Sequence, residues 1–196
     1  MKNLYVTLIF CLSSTLLFSQ TLFNSYSNYS TSTGPITTAI ADFNQDGKLD
    51  IATSNYFGVN VNVRMGVGDG TFGASTTYTM SGSRLGAVAA GDFNKDGYPD
   101  LAIGSFGFPT PSTNIFVMLN NQNGTFGNFS TIATGGTNPY TLDIGDMNKD
   151  GNLDIVTANY SSNTISVIPG VGNGTFTTAQ RTKTQSTPEG VIMRDF

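Results

Sequence analysis

The stretch "DFNQDGKLDIA", residues 42–52, decides how this chain is read. Asp42, Asn44 and Asp46 stand at every second position, and Gly47 follows at the sixth, where a tight loop must turn. That beginning matches an EF-hand loop, which would run on to a bidentate Glu at its twelfth position between two helices. Here the twelfth position is Thr53, and the last acid comes at the ninth as Asp50. The loop is a shorter device of another kind.

It occurs three times. "DFNKDGYPD" starts at Asp92 and "DMNKDGNLD" at Asp146, with Ile103 and Thr157 at their twelfth positions, which also argues against dockerin-like and thrombospondin-type loops. Asp, Asn and Gly are the usual residues of a solvated Asx-type turn as well. Acids at positions one, five and nine, Asn at three and Gly at six, all repeated in three loops, favour a cation site instead. Oxygen donors without His disfavour zinc and copper, and magnesium prefers fewer protein ligands. About three structural calcium sites are therefore expected. Three carboxylates within nine residues repel one another, so cation-free loops are expected to be strained or disordered.

Of thirteen acids nine belong to these loops, so the net charge of −4 is concentrated at them. The 196 residues hold 38% hydrophobic content, enough for one substantial core, with no His, no Trp and the single Cys11. Cys11 lies in "LYVTLIFCLSSTLLFSQ", which follows Met1-Lys2 with the charged start, apolar middle and small-residue end of a secretory signal peptide. Residues 1–19 are read as that peptide, cleaved near Ser19 or Gln20. A membrane anchor is the rival reading, but Ser13, Ser14 and Thr15 interrupt the apolar run. Phe10 stands where a lipobox wants a small residue, which disfavours lipid attachment at Cys11. The mature chain, residues 20–196, is expected to be exported to the cell surface or medium, with no stable membrane span and no disulfide. Without Lys2 its charge is −5, which three bound calcium ions would bring to about +1.

Repetition extends beyond the loops. Asp42, Asp92 and Asp146 are 50 and 54 residues apart, and "RDF" begins a fourth unit at Asp195, a further 49 on. A period near 50 made of short alternating segments predicts propeller blades. Small, apolar stretches precede each loop ("TTAIADF", "GAVAAGDF", "TLDIGDM") and follow it ("LDIATS", "PDLAIGS", "LDIVTA"). A third segment in each unit alternates with period two and runs into "GDGTFG", "QNGTFG" or "GNGTFT". Asp69-Gly70, Asn123-Gly124 and Asn173-Gly174 predict hairpin turns with positive φ. A fourth strand follows, such as "NFSTIATG" from Asn128, and nothing has helical periodicity.

These residues resemble the FG-GAP or VCBS-type repeats of integrin α-subunit-like β-propellers, over almost the whole of residues 20–196. The resemblance implies an all-β propeller of four-stranded antiparallel blades, with calcium in the loop joining strands one and two at 42–50, 92–100 and 146–154. It further implies side-chain oxygens from positions one, three, five and nine and a backbone carbonyl from position seven. Those are Asp42, Asn44, Asp46, Lys48 and Asp50; Asp92, Asn94, Asp96, Tyr98 and Asp100; and Asp146, Asn148, Asp150, Asn152 and Asp154. Phe23 precedes Asp42 by 19 residues, as Phe176 precedes Asp195, so the mature chain starts in phase with an outermost strand. About three blades plus partial ends make an incomplete ring, read as a piece of a longer protein or a chain completed by a partner.

Catalysis has little chemistry to use. There is no His for a triad, no thiol in the mature chain, and Glu189 is the only Glu, so no enzyme activity is expected. Dispersed Lys and Arg disfavour nucleic acid. Binding fits better, on the face opposite the acidic loops. Six residues after each final loop Asp comes an aromatic, Tyr56, Phe106 and Tyr160. With Phe57, Phe108, Arg84, Asn138, Tyr140 and Glu189 these are the candidates for a rim that recognises a protein or glycan. Packing between blades is the competing role for aromatics at one phase of a repeat, and it is the role expected for Phe43, Phe93, Met147, Phe72, Phe126 and Phe176. The two functions that fit are a calcium-stabilised adhesion or recognition module, and the non-catalytic propeller part of a larger secreted enzyme.

Overall fold

The computed structural model describes residues 27–82 and 84–194; the segment read as a signal peptide with Cys11, Phe23, and the expected start of a fourth unit at Asp195 lie outside them. The first repeat folds into β1 (Pro35–Ala41), β2 (Asp50–Asn55), β3 (Asn60–Gly66) and β4 (Phe72–Thr79). The second gives β5 (Arg84–Gly91), β6 (Asp100–Phe106), β7 (Asn114–Asn120) and β8 (Phe126–Ala133), and the third β9 (Pro139–Gly145), β10 (Asp154–Asn159), β11 (Thr164–Ile168) and β12 (Gln180–Lys183). Each group forms one antiparallel sheet in chain order, so the architecture is three four-stranded propeller blades. The single helical element among the described residues is a 3-10 turn at Tyr160–Ser162.

Period-two alternation builds the stack. Neighbouring side chains leave a strand on opposite faces, and in the middle blade both faces are apolar. Leu101, Ile103, Phe116 and Met118 enter a core with Val61 and Val63 of the first blade. Their immediate neighbours Ala102, Ile115 and Val117 enter a second core with Ile155 and Ile168 of the third. Outer strands lose this pattern because one side meets solvent, and β12 is exposed throughout. Aromatic pairs clamp the blades at the acidic end. Phe43 meets Phe126 edge-on at 5.5 Å between ring centres, and Phe93 meets Phe176 at 5.4 Å. Phe72 receives Tyr29 in the same way at 5.5 Å, and the Tyr29 hydroxyl accepts the Phe72 amide as Tyr78 accepts that of Phe126. Met147 departs from the packing expected of it. It is half exposed, because no further blade among the described residues lies where Phe126 and Phe176 cover Phe43 and Phe93.

The innermost strands lie side by side, β1 against β5 and β5 against β9. This approach depends on a missing side chain, since a Cβ on Gly86 would fall on the Tyr140 carbonyl oxygen. Overpacking of this kind costs typically about 1–3 kcal/mol. Gly86→Ala is therefore expected to lower stability by at least that much in urea denaturation, whereas Gly190→Ala, with open space around it, should leave the midpoint unchanged. Equal midpoints for the two variants would contradict this packing.

Candidate functional site

The three acidic loops share one end of the blades and repeat the same bonds. Asp42 accepts the amides of Asp46 at 3.1 Å and Gly47 at 2.8 Å, and Asn44 Oδ1 accepts the same Asp46 amide at 3.1 Å. Asp92 with Asn94, and Asp146 with Asn148, do the same. The oxygens at positions one and three are thereby brought to a common point. Position four takes positive φ, 58° at Gln45, 61° at Lys95 and 60° at Lys149, and the position-six glycines lie at 83°, 92° and 83°. Position five accepts the amide of position seven, from Lys48, Tyr98 and Asn152.

The ninth position has a role that the sequence does not disclose. Asp50 is fully buried, and its two oxygens accept the Phe43 amide at 2.8 Å and the Gly66 amide at 2.7 Å. Asp100 holds Phe93 and Asn120 in the same way, and Asp154 holds Met147 and Gly170. Each of these carboxylates staples the loop to the end of the third strand. Among the described residues no three acidic groups gather closely enough to grip a metal by themselves. The donor type still fits a hard cation, because the side-chain groups at positions one, three, five and nine offer oxygens, and the position-one carboxylate oxygens keep a second lone pair beyond the amide bond each accepts.

Neighbouring loops are also linked. Gln45 donates to the Gly97 carbonyl at 2.7 Å, and the buried Asn120 donates to the carbonyls of Phe43 and Pro99 while its Oδ1 accepts the Gly124 amide. Asp69, outside the loops, accepts the amide and hydroxyl of Thr71, and Asn123 and Asn173 do the same in their hairpins.

At the opposite end the aromatic residues converge. Tyr56 lies 5.9 Å from Phe106 and 6.4 Å from Tyr140 between ring centres, Phe106 lies 5.7 Å from Tyr140 and 6.0 Å from Tyr160, and Phe57 stands edge-on to Tyr56 at 4.8 Å. Rings from three blades thus line one open cavity of about 460 Å³, together with Gly34, Pro35 and Ile36. Burial, with neighbouring Tyr56 adding, raises the Tyr140 phenol above its ordinary value. Arg84 lies over Tyr56, Phe57 and Phe108, with Phe57 61% and Phe108 67% exposed. Asn138 is turned inward instead of lying on the rim: it is buried, with φ 54°, and its side chain accepts the amides of Gly107 and Ser112 and donates to Ser161. Glu189 is exposed on the segment after β12, apart from the ring cluster. Asn55 and Asn159, fully buried where β2 and β10 end, hold these turns through Asn60, Asn62, Thr164 and Ser166; only their shared phase in two repeats signals them.

Among known proteins, the sequence pattern of the FG-GAP-like repeat matches residues 42–103 and 106–157. No curated protein matches the chain. Solved structures that match include the Agrocybe aegerita lectin whose specific recognition of non-reducing terminal N-acetylglucosamine was determined structurally, at 22% identity and a TM-score of 0.51. The match covers 74% of this chain and 37% of the lectin chain, and what it shows is the fold.

The staples make stability depend on pH. Burial pushes Asp100 up to about 6; the amides of Asn120 and Phe93 pull the other way, and the charges of Asp96 and Asp92 add to the rise. Asp50 is raised too, chiefly by burial. A carboxyl raised on folding binds its proton more tightly in the folded chain, so its contribution is full below its unfolded value near 4 and is lost as pH rises through the folded value. Without divalent cations, the urea midpoint is expected to fall between about pH 5 and pH 7, above the range in which the carboxyls lowered on folding at Asp46, Asp96 and Asp150 ionise. Asp100→Asn should shrink that fall. It should also cost about 1–3 kcal/mol throughout, because one amide oxygen replaces two acceptors for two buried amides. A midpoint that rises over this range would contradict the raised carboxyls.

Proposed function

The chain belongs to the FG-GAP-like repeat family, and we propose that it is a calcium-stabilised, exported β-propeller module that binds a glycan or protein ligand at its aromatic end. The observation that carries this reading is the convergence of Tyr56, Phe57, Phe106, Tyr140 and Tyr160 on one open cavity. Its volume of about 460 Å³ suits a small-ligand site, which typically spans about 300–1,000 Å³ and is lined mostly by apolar and aromatic groups. Packing alone would bury these rings, yet Phe57 keeps most of its surface in solvent.

Calcium would be held by oxygens of the loops at 42–50, 92–100 and 146–154, where it would neutralise clustered carboxylates and strengthen the turn between the first two strands of each blade. The role is structural. Extracellular calcium modules bind at about 10⁻⁴–10⁻³ M, and at free calcium of about 100 times Kd each site would add about 2.7 kcal/mol. Export rests on the charged and apolar leader of residues 1–19. Among the described residues no helix is long and apolar enough to cross a membrane. The absence of His and of paired Glu residues supports a module without catalysis.

Scanning calorimetry in calcium and in EGTA is expected to show a higher Tm with calcium. Asp96→Ala should remove one bound ion and part of that difference, while Asp69→Ala, which loses a hairpin bond only, should keep it. A Tm indifferent to calcium would refute the structural role. For recognition, a glycan and surface-protein binding screen should yield a ligand whose affinity falls at least tenfold in Phe57→Ala at unchanged Tm. A ligand indifferent to Phe57→Ala and to Phe108→Ala would place binding elsewhere.

A further inference from the structure

Arg84 stands apart from the other arginines. Arg64 stacks on Tyr29 and donates to the carbonyls of Gly73 and Ser30 at 2.7 and 2.8 Å. Arg181 and Arg194 donate to the carbonyls of Gly135 and Met193. Those guanidinium groups bond to the chain's own backbone. Arg84 lies 5.1 Å from the ring centre of Tyr56, 5.3 Å from that of Phe57 and 4.8 Å from that of Phe108, and among the described residues its hydrogen bond is one of 3.3 Å to the Tyr56 hydroxyl. The ion pair among the described residues, Lys48 with Asp46, is at the other end of the blades. Aromatic faces hold the guanidinium by cation–π attraction, and beyond the one bond to Tyr56 its N–H groups have no acceptor among the described residues.

An oriented guanidinium without an anion, fixed between exposed rings, is a receptor for one. The planar fork matches a carboxylate with two parallel hydrogen bonds. Among the described residues no Lys and no second Arg lines this ring cluster to share a doubly charged phosphate, so a single negative charge is the better match. Beside it, Phe57 and Phe108 offer exposed apolar faces, and Tyr56 and Phe57 continue into the cavity. A hexuronic acid meets both demands, because its ring presents a flat C–H face and its C5 bears a carboxylate.

We propose, building on the recognition reading above, that the ligand at this end is an acidic glycan, and that Arg84 binds the carboxylate of a uronic acid whose ring rests on Phe57 and Phe108. Arg84 sets specificity for charge, and the rings hold the sugar.

Isothermal titration of residues 20–196 in saturating calcium tests this with trigalacturonate and its methyl ester, which share their sugar rings and differ at the carboxyl groups, charged in one and capped by neutral methyl ester in the other. The acid is expected to bind at least tenfold more tightly than the ester. Arg84→Gln should reduce the acid to the affinity of the ester, Arg84→Lys should fall between, and Phe57→Ala should weaken both ligands. Tm measured on each variant ensures that folded protein is compared. Equal affinity for acid and ester, or acid binding undiminished in Arg84→Gln and Arg84→Lys, overturns the charge assignment while leaving ring-based recognition standing. If neither saccharide binds, the acidic-glycan proposal is overturned, and a protein ligand sensitive to Phe57→Ala in the binding screen shows that the recognition reading survives.

Discussion

One buried carboxylate in each blade, bonded through its two oxygens to two backbone amides, is the interaction on which the rest depends. Asp50 joins the amide of Phe43, at the loop's entry, to that of Gly66, at the end of β3, and it does so from the first residue of β2. Three segments of a blade therefore meet at one side chain. Such a group is costly to bury unless its acceptors are used, and here both oxygens are. The same bonds recur at Asp100 and Asp154. The protein's own groups thus tie a blade together at this end. Cation binding would draw on the oxygens at positions one and three, which converge on the amide of position five.

The staple also sets what happens at the other end. β2, β6 and β10 start at Asp50, Asp100 and Asp154, and each delivers an aromatic residue at or just past its far end: Tyr56, Phe106 and Tyr160. Because the strands start at equivalent points, their ends fall at equivalent heights. The close approach of β5 to β9 at Gly86 then brings Tyr140 against Tyr56 and Phe106. Loop register at one end is in this way converted into ring convergence at the other. Binding residues on connections held by a rigid sheet are the usual arrangement for recognition.

Much of this could be read from the sequence because it repeats. The loop positions, the Asn-Gly and Asp-Gly hairpins and the four strands per unit depend on local spacing, and the structure keeps them. The phase of Tyr56, Phe106 and Tyr160 already placed them at one end. What could not be read depends on neighbours far away in the chain. Asn138 has the composition of a rim residue, but its positive φ and its bonds to Gly107 and Ser112 turn it inward. Met147 occupies the position of Phe43 and Phe93, and its exposure reflects what adjoins its blade, not its own type. Position nine was ambiguous for a chemical reason, since a carboxylate serves equally as a cation ligand or as an acceptor of two amides. Asn120 has no local signal and acquires its role from a carbonyl in another blade, whereas Arg84 was readable as a rim candidate but not the rings of another blade that hold it.

An acidic chain, with a pI near 4.5, is at first sight an unsuitable receptor for an acidic ligand. Segregation of charge removes the difficulty. Nine of the thirteen acids lie in the loops, whereas Arg84 lies beyond the far ends of the strands that those loops begin. Six strand residues span about 20 Å, and the screening length at physiological ionic strength is about 8 Å. Repulsion from the loops is therefore largely screened at Arg84, and cations bound in the loops would weaken it further. The guanidinium meets an incoming anion with little opposition from the rest of the molecule. Net charge describes the whole chain, but the local field at each end depends on where the blades place the charges.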